Sequence, residues 1–461
     1  MEILRDVLIG LPFIGVFLLG LAVALVVTWC CRSLGAGVTI IALCFVAEAM
    51  IQGAIGFRLG IFIYLQDLTL GLVAIVTVLR LAFLAEARPR ALPFYVLLVV
   101  FTVNLAQGLA VFGTAAGVSA RPTFYALVAC GYAMTFPMTE QRVRALFGVF
   151  AWAGLVLFML ACYRGVAVAL DIRELLPPSG SFQPAGHSVW RVIVSSESLV
   201  VAQAALSLWA FAGLASGLLA ALRLLAPVLL LATVALQHRS VWLATIAGYG
   251  AQRLGLAVSL LETRKLLPVL VLAAALGLGV GFMGSGSGSG IGADVARSAR
   301  EAVELRGTAA ERLSSWQQLV QSWAGSGPRA IAIGQPYGTR FDRYDSDAIG
   351  ARKISYQAHN YYVELLTSQG LLGFVCYLSL YVLAIRGLWR ARAHSAHGTA
   401  ARWLLVMLAF QMTYYLTYGV DYLQALALGA ALSLAALRRE AGSLATPRVP
   451  SQGPSLARRA P

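Results

Sequence analysis

The chain has 461 residues, of which 59% are hydrophobic and 12% charged. Soluble globular proteins carry about 25% charged residues and cannot hide this much apolar surface. That excludes an ordinary soluble enzyme, a disordered chain and a small disulfide scaffold. Lys and Arg number 35 against 20 Asp and Glu, a formal net charge of +15. In a membrane protein such an excess belongs to cytoplasmic loops and anionic headgroups. No basic stretch interleaved with exposed aromatics suggests nucleic acid as a partner.

A helix needs about 20 apolar residues to cross a hydrocarbon core of about 30 Å. In chain order, such segments cover residues 8–30, 38–55, 61–84, 92–112, 123–136, 146–162, 199–218, 225–236, 241–258, 266–282, 371–385, 404–418 and 422–437. The expectation is an all-α, polytopic integral membrane protein with about 12 to 13 transmembrane helices, because lipid cannot satisfy open strand edges. The chain divides into a first block of membrane helices at 1–282 and a large loop with short helices at 283–360. C-terminal membrane helices follow at 361–439, then a disordered basic tail at 440–461. The opening residues read as leading into an uncleaved first helix, not as a signal peptide.

Orientation follows from the short basic connections. Arg88 and Arg90, Arg142 and Arg144, Arg253 with Arg264 and Lys265, Arg386 to Arg402, and the arginines of the tail fall on one face by alternation. The positive-inside rule makes that face cytoplasmic. Counting back through every span places the N-terminus outside, and losing one early span would place it inside. The connections 164–197 and 283–359 then face the external side. The six cysteines, Cys30, Cys31, Cys44, Cys130, Cys162 and Cys376, lie in or at the ends of apolar runs. They read as small apolar residues, with neither a disulfide framework nor a zinc site.

The longer loop far exceeds the roughly 12–15 residues of an ordinary connector. It opens with alternating Gly and Ser at 284–291, a flexible spacer and not a phosphate loop, since no Lys-Ser/Thr follows. Helical patterns follow at 293–306 and 309–323, the second with Leu313, Trp316, Leu319, Val320 and Trp323 at helical spacing. A turn-rich segment at 333–338 and a polar run at 340–353 come next. His359 stands where the chain re-enters the membrane. By alternation Arg239, in Gln237-His238-Arg239, and Arg191 lie at external span ends, the disfavoured side for arginine. Together with Arg312 they can surround a pocket that also receives His359. Guanidinium forks match the oxygens of a phosphate or diphosphate. Neutral imidazole near physiological pH suits a general base.

Three short tracts resemble the O-antigen ligase and O-antigen polymerase superfamily. They are His359-Asn360-Tyr361 with Gly370-Leu371-Leu372-Gly373, Gln237-His238-Arg239-Ser240-Val241-Trp242 at a helix end, and Arg312-Leu313-Ser314-Ser315-Trp316 followed by Gly334 to Gly338. The resemblance covers roughly residues 198–385. It implies a GT-C-like membrane glycosyltransferase in the bacterial inner membrane, working at the periplasmic face without metal or cofactor. The donor would be a glycan on undecaprenyl diphosphate. The acceptor would be lipid A-core for a ligase, or a second lipid-linked glycan for a polymerase. On this reading His359 is the catalytic base, Arg239 and Arg312 hold the diphosphate, and Arg191 assists. One-step hydroxyl attack would invert the anomeric centre. Glu364 and Asp342 are either further participants or solvated charges. A rival reading is a transporter with Glu48, Asp67 and Asp421 as its intramembrane site; a bare membrane scaffold is a third.

Overall fold

Apolar residues recur on every side of several segments, so these helices can bury one face and still present another apolar face outward. In the computed structural model, residues 20–51, 56–59, 61–84, 91–170, 191–255, 308–339, 342–345, 352–355, 358–392 and 398–444 are described, with residues 18, 172, 175 and 176. Expected features at 1–17, 266–282, 284–291, 293–306 and 445–461 lie outside the described residues.

The helices in chain order are α1 (Gly20–Arg32), α2 (Leu34–Ile51), α3 (Leu65–Phe83), α4 (Leu92–Phe112), α5 (Thr114–Met134), α6 (Glu140–Ala169) and α7 (Ser195–Ala210). Then come α8 (Leu218–Leu222), α9 (Ala226–Ala235), α10 (Arg239–Gly255), α11 (Thr308–Ala324) and α12 (Pro328–Ile333). The last are α13 (Tyr361–Ala391), α14 (Gly398–Tyr414) and α15 (Tyr422–Leu444). Six stretches among the described residues are long and apolar enough to cross a membrane: α2, α3, α4, α6, α13, and the α8–α9 rod at Leu218–Ala235. Helix α3 illustrates the pattern, burying Leu70, Val73 and Val76 while Ile75, Val78 and Phe83 stand more than half exposed. In water that outer face would be an aggregation surface.

Several boundaries differ from the sequence expectation. The stretch expected to begin a span at residue 61 is instead the second strand of a hairpin. β1 (Gly56–Leu59) pairs antiparallel with β2 (Ile61–Tyr64), with Phe57 opposite Ile63. Its aromatic and β-branched residues suit a strand, and helix begins only at Leu65. The polar run after residue 340 forms a second hairpin, β3 (Asp342–Asp345) with β4 (Arg352–Ser355). The span expected at 199–218 stops at Ala210, and a 3-10 turn follows at Ala212–Leu214. The span expected at 371–385 starts ten residues earlier, at Tyr361, and breaks at Gly370.

Small residues bring the core helices together. Helix α15 packs on α5 and α13, α6 on α7, α10 on α14, and α4 on α13. Gly429 lies against the Cys130 carbonyl and Gly387 against Ala435, contacts with no room for a side chain. Several buried polar groups pair across this packing. Gln203 and Gln424 exchange amide hydrogen bonds of 2.7 and 2.8 Å, and Trp403 Nε1 donates to Ser207 Oγ at 2.9 Å. Arg80 donates from Nε to Thr135 Oγ1 and from Nη2 to its carbonyl, both at 2.9 Å, and lies 3.4 Å over the Phe136 ring.

One junction positions the loop on the bundle. Gly334 has φ 88° and Gly370 φ 65°, and a Cβ on either would overlap the other's backbone segment. Only glycine accepts both the left-handed backbone and the close approach. Asn104 of α4 clasps the junction, donating to the carbonyls of Ile333 and Ser368, the latter at 2.9 Å. Gln335 N–H reaches the Thr367 carbonyl at 3.0 Å, and Gln369 Nε2 reaches Tyr337 Oη at 2.7 Å.

Candidate functional site

Helix α13 starts with a strong cap. Asn360 accepts from the N–H groups of Tyr362 at 3.0 Å and Val363 at 3.1 Å, a geometry that fixes where the helix begins. The preceding residue, His359, takes φ 40°. A left-handed backbone costs a non-glycine residue about 1–3 kcal/mol and persists only where the surroundings hold it. Here Trp316 Nε1 of α11 donates to the Ala358 carbonyl at 2.6 Å. On the other side, Tyr361 N–H reaches the carbonyls of Tyr415 and Tyr418 at 2.9 and 3.0 Å. His359 is thus set between the loop helix and the turn that ends α14.

Tyr418 is the centre of this turn. Its ring meets the His359 ring with centroids 6.1 Å apart at 67°. The Arg312 guanidinium lies 5.0 Å from the Tyr418 centroid, and its Nη1 donates to the Thr417 carbonyl at 3.2 Å. Tyr418 stacks on Tyr414 at 5.1 Å, and Tyr414 Oη is 2.8 Å from Ser195 Oγ. Burial pushes the Tyr418 phenol up. Hydrogen bonding with Ser195 and Arg312, and the charges of Arg312 and Arg191, outweigh burial and leave it below the ordinary phenol value. Arg312 and His359 therefore meet at one ring, which also feels the charge of Arg191.

Arg239 enters through a neighbouring turn. Gln237 has φ 57°, is fully buried, and has no hydrogen-bond partner for either end of its amide among the described residues. His238 Nε2 lies 2.9 Å from the Ile193 carbonyl. Burial pushes this imidazole down to about 4, the Arg191 charge adds to the effect, and the bond to Ile193 opposes it. His238 is neutral at pH 7 and donates Nε2–H, since a carbonyl only accepts. It ties the start of α10, where Arg239 stands, to the segment carrying Arg191. The structure thus brings two of the four expected residues, Arg312 and His359, against the Tyr418 ring, and His238 links the start of α10, with Arg239, to the segment that carries Arg191.

Of the other expected participants, Glu364 stands close by: its Oε2 lies 4.0 Å from where a Cβ on Gly419, the residue after Tyr418, would sit. Glu364 lies in the first turn of α13, its N–H bonded to the Asn360 carbonyl at 3.0 Å. Asp342 is in β3, opposite Ser355. Tyr418, Ser195 and His238 were not singled out from sequence. The signal for Tyr418 was available: tyrosines at 414 and 418, four apart, close an apolar helix just before Gly419.

A cavity of about 610 Å³ lies beside the cluster. Glu48, Glu197 and Asp421 line it with Tyr64, Tyr125 and Tyr422. Asp421 caps α15, accepting from Leu423 N–H at 2.7 Å and Gln424 N–H at 3.4 Å. Burial pushes its carboxyl up to about 7 against those bonds, and the Glu48 charge adds to the rise. Among the described residues no group of three or more His, Cys, Asp or Glu is arranged to hold a metal ion.

A strained corner with an imidazole, a lowered phenol and a guanidinium against one ring can bind an anion and move a proton. Searches of known proteins add no assignment to this chemistry: no protein-family model matches the chain, and no curated protein matches its sequence.

Proposed function

We propose that the protein is a membrane glycosyltransferase of the O-antigen ligase type. It transfers a glycan from undecaprenyl diphosphate to an acceptor hydroxyl, lipid A-core in this reading. The enzyme sits in the bacterial inner membrane with its site on the periplasmic side. The observation that carries the proposal is the convergence of Arg312 and His359 on the Tyr418 ring. Six membrane-length apolar helices give a lipid-linked donor its natural solvent.

The chemistry follows from these groups. His359 takes the proton of the acceptor hydroxyl as its oxygen attacks the anomeric carbon. The bond from that carbon to the diphosphate oxygen breaks, and its electron pair leaves with the diphosphate. Arg312, Arg191 and Arg239 stabilise the charge that develops there, as preorganised donors do.

A polymerase uses the same donor step with a lipid-linked glycan as acceptor. Transport of a polar solute is the reading from another class, favoured by the carboxylates around the cavity. Purified protein given an undecaprenyl-diphosphate glycan, with and without lipid A-core, tests all three. Product on lipid A-core supports the ligase, and a ladder from donor alone supports the polymerase. Solute uptake by vesicles without any glycan product would overturn the transferase.

A further inference from the structure

The acid-lined cavity has no part in the donor step, yet it adjoins the cluster. Val194, Ser196 and Glu197 line it, while Ser195 between them bonds Tyr414 beside Tyr418. Asp421 and Tyr422 line it three and four residues after Tyr418. One turn of α7 and one short loop thus separate the arginine corner from a site lined by carboxyl groups. Arg121, the cation on its wall, is paired with Asp67 at 3.0 Å.

We propose that this cavity binds an uncharged pyranose ring of the glycan substrate, an inference that rests on the transferase reading. Its volume falls within the roughly 300–1,000 Å³ of small-molecule sites. Its walls pair carboxylates, which accept from sugar hydroxyls, with aromatic rings, which cover the C–H face of a sugar. Tyr125 and Tyr422 stand edge to face at 6.1 Å, and Phe45 meets Tyr422 at 5.8 Å. Glu48 is already held, accepting from Gln66 Nε2 at 2.8 Å and Tyr422 Oη at 3.3 Å. Glu197 is not: it is 5% exposed, its Oε2 accepts from Val194 N–H at 3.1 Å, and its other oxygen accepts from no described residue. That oxygen keeps solvent access beside the cavity, where a ligand hydroxyl can donate to it. These carboxyl- and hydroxyl-bearing walls suit a neutral ring, whereas the Arg312 guanidinium beside Tyr418 suits an anion.

The test uses full-length protein in nanodiscs and saturation-transfer NMR with the methyl glycosides of glucose, galactose and N-acetylglucosamine. Wild type should give transfer from at least one glycoside. Glu197→Gln, which keeps the helix cap, and Tyr422→Phe should each weaken it about tenfold, the scale of a lost hydrogen bond to a charged or buried group. Competition by an undecaprenyl-diphosphate sugar would assign the ring to the donor, and competition by free core oligosaccharide to the acceptor. Equal signals from wild type and both variants, or none from any glycoside, overturns the proposal. Bare undecaprenyl diphosphate should bind both cavity variants like wild type and bind Arg312→Ala weakly. If Arg312→Ala binds it normally while the cavity still takes sugars, the transferase reading fails and the sugar site stands.

Discussion

Arg80 and Arg312 both lie against an aromatic ring, yet their surroundings differ. Arg80 is buried, 3.4 Å over Phe136, and its donors run to Thr135 and to the Cys31 carbonyl. Arg312 is half-buried at 5.0 Å from Tyr418, with one guanidinium nitrogen on the Thr417 carbonyl and the phenol as its neighbour. The first stitches α1, α3 and the end of α5 together. The second stands at a strained turn beside His359. The same residue type is structural where main-chain carbonyls absorb its donors, and available for an anion where few do.

Changes at the two places should separate in kind. The largest effect is expected for His359→Ala, a fall in turnover of roughly 10²–10⁴-fold with the helical fold retained. Turnover near wild type would remove His359 as the base. Next comes Gly370→Ala, which sets a Cβ against the Gly334 backbone at a left-handed φ. Overpacking alone costs about 1–3 kcal/mol. Thermal unfolding should move well down, and an unchanged midpoint would mean that the junction does not hold the loop.

Arg80 and Arg312 then test the comparison directly. Arg312→Ala should raise the apparent KM for the lipid-linked donor about tenfold, about 1.4 kcal/mol, with little change in melting temperature. Arg80→Met should do the reverse, lowering the melting temperature through orphaned buried acceptors while donor KM holds. If Arg80→Met raised KM as much as Arg312→Ala, the distinction would collapse.

The smallest effect concerns pH. Burial raises the Asp421 carboxyl from 3.8 to about 7, so the folded state binds its proton more tightly than the unfolded chain. The stability from this group is present below its unfolded value and is lost as pH rises through about 7. His238 has the opposite sign. Its imidazole is lowered from 6.5 to about 4, so its contribution is present above 6.5 and lost as pH falls through about 4. Melting temperatures of Asp421→Asn between pH 4 and 7 should therefore rise more steeply with pH than those of wild type. Parallel curves would dismiss the burial of Asp421 as a pH-dependent element.

Much of the site was legible as a set of residues and little of it as an arrangement. An imidazole at a helix start and arginines at unfavourable span ends stand out because lipid makes each costly or unusual. Nothing in the sequence pairs residue 312 with residue 418, or residue 193 with residue 238, because those contacts join segments far apart in the chain. Glu48 and Asp421 were candidates for transport because the sequence marks each as a charge in apolar surroundings. Glu197 was missed because two serines on one side and another on the other disguise it as an ordinary helix cap.

The apolar composition determined by itself that this chain is helical and carries membrane-length segments, since the cost of exposed backbone in lipid leaves helices as the answer for long apolar runs. The glycines at 334 and 370, the histidine at 359 and the arginines were equally plain. Tertiary structure alone decided that residues 56–59 pair with 61–64, that Gly334 and Gly370 touch, and that Tyr418 gathers His359 and Arg312. Such contacts depend on which helices pack together and at what register. That is settled by the shapes of many small side chains acting jointly, whereas hydropathy is a sum over local sequence.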